Sequence, residues 1–192
     1  MKVEPLLADE AIDTLSADIG RSIPAALRSF LASGAGGMEF TYRWTATGSQ
    51  AAAIKSIYRV RDYVWGGGVL CRASDFGEWL RDCKEWAEET WVAEYPDDFA
   101  FWTQSFPILR MDTADFLGLD GRTPSDDPAV VYLSHDDDSK IIAPSFTAFL
   151  AEWERLRYIG PDILEEYFDD DGMLSANTEK AKILIGAFEN AG

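Results

Sequence analysis

Residues 38–44, MEFTYRW, limit what this chain can fold into more than any other stretch. Met38, Phe40, Tyr42 and Trp44 alternate with Glu39, Thr41 and Arg43. A period of two places the four large apolar side chains on one face of a strand and the polar ones on the other. A slip of one residue would turn all four toward water, so the register is strongly specified. One buried face and one wet face is the habit of antiparallel sheets, not of parallel sheets covered on both sides.

Further strands read out with the same rule. Residues 54–65 contain YRVRDYVW, again alternating, and follow a turn-like ATGSQ, so they are expected to form a second strand. FPILRM and ADFLGLD form two short strands separated by Asp112 and Thr113. GRTPSDDP is a loop, and AVVYLS is a strand rich in β-branched residues. HDDDSK is a turn, and IIAP begins a short strand that ends at Pro144.

Helices surround this block. Leu6, Leu7, Ala11, Ile12, Leu15 and Ile19 recur at helical spacing over residues 5–19, and Gly20 ends the run. In IPAALRSFLAS, Pro24 suits a first helical turn, Leu27, Phe30 and Leu31 share a face, and Gly34 suits a C-cap. Asp75 and Glu78 have capping-box spacing. Phe76, Trp79, Leu80, Cys83, Trp86, Ala87 and Thr90 then make one apolar stripe. Ser145 is placed to cap a helix carrying Phe146, Phe149, Leu150, Trp153 and Leu156, and Gly160–Pro161 stops it. DILEEYF reads as a short acidic helix, DDDGMLSAN as a loop, and Ile183, Leu184, Ala187 and Phe188 as the face of a last helix. The expected class is α+β, with a mainly antiparallel mixed sheet flanked by helices. One domain over residues 1–192 is expected, since no linker is long enough to divide it.

The chain has 34 Asp and Glu against 17 Lys and Arg, a net charge of −17. Such a surface repels nucleic acid and anionic membranes and draws basic partners from a distance. A chain of 192 residues that is 47% hydrophobic can bury a real core without covalent staples. The two cysteines, Cys71 and Cys83, are too few for a disulfide framework and suit a reducing, cytoplasmic setting, although their spacing permits a bridge. Acidic residues interrupt the N-terminal apolar stretch, which is unlike a signal peptide, and no apolar run is long enough for a membrane span.

Three stretches resemble the SUKH superfamily, the Smi/Knr-like group. IPAALRSFLASGAGGMEFTYRW is similar to that family's opening helix, glycine turn and aromatic strand. FPILRMDTADFLGLD is similar to its paired central strands with an aspartate-containing turn. DDPAVVYLSHDDDSKIIAPSFTAFLAEW is similar to its strand, polar turn, short strand and Ser-Phe helix start. The resemblance covers roughly residues 20–157, with residues 66–105 as a helical expansion and 161–192 as a helical extension. It implies an α+β fold and, in bacteria, frequent duty as an immunity protein that silences a polymorphic toxin. Other members are regulators or scaffolds. No shared catalytic residues come with the family.

The residues themselves offer little chemistry. His135, the sole histidine, precedes Asp136, Asp137 and Asp138. Neighbours in a turn point apart, and zinc would want more nitrogen or sulfur ligands. Placing Gly172 at the glycine of a calcium loop puts Tyr167 first and Thr178 last, both wrong. Gly66, Gly67 and Gly68 lack the Lys-Ser/Thr ending of a phosphate loop and are expected to break the strand as a flexible turn. No cofactor and no metal are expected. Trp79, Trp86 and Trp153 are core by spacing, whereas Trp44 and Trp65 end strands beside polar turns, where aromatic rings can anchor a partner. Six carboxylates lie between Asp162 and Asp171 and five between Asp126 and Asp138. The expected activity is stoichiometric binding of a basic toxin domain, with Asp136, Asp137, Asp138, Glu39, Trp44 and Trp65 as the contact residues. The alternatives are a regulatory scaffold with an endogenous partner and an enzyme using buried carboxylates.

Overall fold

The computed structural model describes residues 2–33, 36–89, 94–111 and 113–190. Seven strands form one sheet in chain order: β1 (Lys2–Val3), β2 (Met38–Thr45), β3 (Tyr63–Leu70), β4 (Phe106–Arg110), β5 (Phe116–Leu119), β6 (Val130–Leu133) and β7 (Lys140–Ala143). Every neighbouring pair is antiparallel, so the sheet is a meander without a parallel pair among the described strands. The α+β class is as expected.

One face of the sheet carries Phe40, Tyr42 and Trp44 and is covered by α6 (Phe146–Arg155), a 3-10 segment (Pro161–Tyr167) and α7 (Glu179–Glu189). Phe40 meets Trp153 at 6.0 Å between ring centroids, and Trp44 stacks on Phe188 at 4.2 Å. Ser145 caps α6 by accepting from the Ala148 amide at 3.1 Å. The opposite face is covered over β4–β6 by α4 (Phe76–Glu89) and α5 (Pro96–Gln104). Phe76 packs on Phe106, and Trp79 and Trp102 both pack on Phe116. The region expected to be an expansion is therefore folded onto the core. Two further helices, α1 (Asp9–Asp18) and α2 (Ala25–Ser33), bury Ile12, Leu27 and Leu31. Gly34, Thr90 and Asp112, expected at a C-cap, on the α4 stripe and in the β4–β5 turn, lie outside the described residues.

Three expectations are corrected. Residues 48–58 are a helix, α3 (Gly48–Tyr58), not a turn leading into a strand. Gln50 reaches back toward the Thr47 amide, three alanines follow, and Ile54, Ile57 and Tyr58 stand at helical spacing against α7 and the core. The alternation in YRVRDYVW thus straddles a helix end and a strand start. Gly66–Gly68 do not break the strand; they are its middle, paired with Tyr42, Thr41 and Phe40. A Cβ on Gly66 would enter the Tyr42 ring, and one on Gly67, at φ +95°, would strike the Phe40 carbonyl. Finally, α1 begins at Asp9 rather than residue 5, because residues 4 and 7 spend their amides on Gly37 and Leu31 instead of a helix.

After α6 the chain turns through Arg157 and Tyr158, both at positive φ, and runs beside β3 past the end of β4. Gly67 N donates to Tyr158 O at 2.6 Å, and Gly160 N donates to Trp65 O at 3.0 Å. The Gly160–Pro161 stop is thereby an extra piece of sheet edge, held from below by Trp153 Nε1 donating to Ile159 O at 2.8 Å.

Candidate partner-binding surfaces

The β6–β7 turn is fastened at both ends by buried carboxylates. At its start, Asp115 Oδ1 accepts from the His135 amide at 2.8 Å and meets His135 Nδ1 at 2.9 Å. Its Oδ2 accepts from Thr113 Oγ1 at 2.8 Å and Tyr132 Oη at 3.1 Å. Burial by itself would raise this carboxyl; the hydrogen bonds from His135, Thr113 and Tyr132 outweigh that and hold it below its ordinary value. Because the carboxylate only accepts, Nδ1 carries the imidazole proton. The imidazole lies 4.2 Å from the Trp86 ring and 4.9 Å from the Trp102 ring. At the end of the turn, Asp98 in the first turn of α5 accepts from the Ser139 amide at 2.9 Å. Between them, Ser134 Oγ accepts from the Asp136 and Asp137 amides.

Asp136, Asp137 and Asp138 therefore stand exposed and adjacent on an anchored turn. None of the three has an ion-pair partner among the described residues. The histidine's carboxylate is not one of these neighbours but Asp115, which the sequence pattern did not single out. The signals available were an acid directly before an apolar strand, at Asp115, and one in the first turn of a helix, at Asp98. A carboxylate-oriented imidazole can act as a base, yet no hydroxyl or thiol hydrogen-bonds to Nε2 among the described residues. Both thiols are buried and free, and burial pushes each well above its usual range, so neither Cys71 nor Cys83 is a ready nucleophile and they do not form a bridge.

A second surface is the part of the sheet that α4 and α5 leave uncovered. Glu39, Thr41, Arg43 and Thr45 of β2 share this face with Tyr63, Trp65 and Val69 of β3. The Arg43 guanidinium lies 4.3 Å from the Tyr63 ring centroid and 5.5 Å from that of Trp65, which is 48% exposed. Glu39 is spent on ion pairs to Lys2 at 3.3 Å and Arg72 at 3.2 Å. Trp44 lies on the other face, half-buried under Phe188, so its ring is occupied by the core. The fold thus brings Glu39 and Trp65 onto one face, removes Trp44 from it, and sets Asp136–Asp138 beyond β6, three strand positions from Trp65 and four from Glu39, about 14 Å and about 19 Å across the sheet.

The acidic stretch 162–171 is partly neutralised, with Glu165 paired to Lys140 at 3.0 Å and Glu166 to Lys180. The aspartate-rich loop closes on itself: Asp169 Oδ1 accepts from the Asp171 and Met173 amides. Among the described residues no three His, Cys, Asp or Glu converge as a metal site, and no helix is long and apolar enough to cross a membrane.

No curated protein and no solved structure gives a significant match to this chain. A family model does, over residues 6–152, more than half of the chain. The matched span starts before α1, extends over α4 and α5, and ends within α6. The three sheet-forming stretches singled out from the sequence all fall at least largely inside it, and the chain belongs to the SMI1/KNR4 family (SUKH-1).

Proposed function

We propose that this protein is an immunity protein that neutralises a cognate toxin domain by binding it one to one, and that it works by occlusion rather than by chemistry. The observation that carries this reading is the β6–β7 turn. Three adjacent carboxylates with no counter-cation among the described residues repel one another, and a free loop would splay them apart. Here two buried carboxylates, Asp115 and Asp98, and the Ser134 hydroxyl hold the loop in one shape. Preorganised negative charge on a protein of net charge −17 attracts a basic surface and speeds encounter. A toxin that acts on nucleic acid would present such a surface, and the carboxylates would stand where its phosphates go. Membership of the SUKH-1 family supports the same role, and a cytoplasmic site of action fits two reduced, buried thiols.

The test is growth rescue. The toxin domain encoded beside this protein's gene is expressed with and without it. Growth arrest relieved by this protein, with a one-to-one complex on a sizing column, supports the reading. Arrest that persists in the presence of a folded, soluble protein would overturn it.

A further inference from the structure

The long strand β2 is an open edge. Its pairing with β1 covers only Met38 and Glu39, leaving the rest of the strand without a neighbour on that side among the described residues. The direction of the backbone groups follows from the ladder. Gly37 O faces β1, since it accepts from Glu4 N, whereas Ala46 N faces β3, since it donates to Asp62 O. In an antiparallel ladder the facing side alternates with each residue. The N–H and C=O groups of Thr41, Arg43 and Thr45 therefore point away from β3, where no described residue takes them. The same kind of group on the far side of β3 is satisfied: Trp65 O and Gly67 N are bonded to Gly160 N and Tyr158 O. The other end of the sheet is partly closed too, because Ile142 O of β7 accepts from Leu174 N at 2.8 Å.

The chemistry around this edge differs from the rest of the molecule. Residues 38–72 hold five of the 17 Lys and Arg but only two of the 34 Asp and Glu. Arg43 sits at the centre of the open edge with no carboxylate partner among the described residues, resting on the rings of Tyr63 and Trp65. Pairing two copies of β2 antiparallel about this centre would bring Arg43 beside its own copy with no carboxylate opposite, so the edge is ill suited to itself.

We propose that the β2 edge captures an extended acidic segment of a partner protein as an added strand, pairing with Thr41, Arg43 and Thr45 and setting a carboxylate opposite Arg43. The backbone groups supply affinity in such strand addition and the side chains beside them supply choice. This surface lies apart from the aspartate turn, and the inference does not depend on the partner being a toxin.

The probes are two capped nine-residue peptides of alternating threonine and valine, one with glutamate at its centre and one with lysine. Amide exchange followed by NMR on the full chain reads the edge directly. In the free protein the Thr41, Arg43 and Thr45 amides exchange fast, while those of Phe40, Tyr42 and Trp44 are protected. The glutamate peptide slows the three exposed amides and binds at least tenfold more tightly than the lysine peptide. Arg43→Glu, an exposed substitution, inverts that preference, and Arg43→Lys keeps it. Slow exchange of the three amides in the free protein, no protection by the glutamate peptide at millimolar concentration, or equal binding of both peptides would overturn the proposal. None of these outcomes bears on growth rescue.

Discussion

Asp115 and His135, twenty positions apart, are joined twice: the carboxylate faces both the amide and the Nδ1 of the same residue, at 2.8 and 2.9 Å. This double contact ties the start of β5 to the end of β6 and fixes where the aspartate turn begins. Its carboxyl is held below its ordinary value of 3.8, so it adds stability that is fully present above about pH 4 and is lost as the pH falls through the lowered value. Asp115→Asn should lower stability at pH 7 by about 2–3 kcal/mol, the scale of losing hydrogen bonds to a charged acceptor. The difference from the parent should shrink in acid. Urea unfolding at pH 7 and at pH 3 measures both; an equal loss at the two pH values would contradict the assignment.

Asp136, Asp137 and Asp138 are exposed, and the bonds that hold the turn use the backbone amides of Asp136 and Asp137 rather than any of the three carboxylates. Changing all three to Asn should leave stability within about 0.5 kcal/mol. Stopped-flow association with the cognate toxin domain should slow by about tenfold at low salt, and the two proteins' rates should converge as salt rises. A rate unaffected by the triple substitution would move the binding face elsewhere.

Two glycines predict opposite signs. Gly67 has φ +95°, and a side chain there would meet the Phe40 backbone, so Gly67→Ala should cost about 3 kcal/mol or more. Gly186 lies inside α7 with open space where a methyl would go, so Gly186→Ala should stabilise by about 0.5–1 kcal/mol. Thermal unfolding of the two variants side by side checks the paired expectation.

Cys71 and Cys83 are 0% and 1% exposed, and burial holds both thiols above their usual range. Neither should react with a thiol reagent at pH 8 on the timescale of minutes, and both should react together in denaturant. Rapid labelling of either in the native protein would contradict its placement.

Part of the fold follows from local spacing alone. The alternation at 38–44, the apolar runs of β4–β7 and the Ser145 cap of α6 appear where the pattern puts them, because strand pleat and helix pitch act within a few residues. The charge and the SUKH-like order of elements were legible for the same reason. Tertiary structure decided the rest. Residues 54–58 carry a helical face and the edge of an alternating pattern at once, and packing against α7 chose the helix. The three glycines look like a break until the Tyr42 ring lies across Gly66 and the Phe40 backbone against Gly67, approaches that only bare backbone allows. Trp44 and Trp65 read alike as strand ends, yet the sheet sends one beneath Phe188 and the other into water. Asp115 and Asp98 gain their roles from residues 20 and 41 positions away. The free edge of β2 is not a property of β2 but of a neighbour that pairs with only two of its residues.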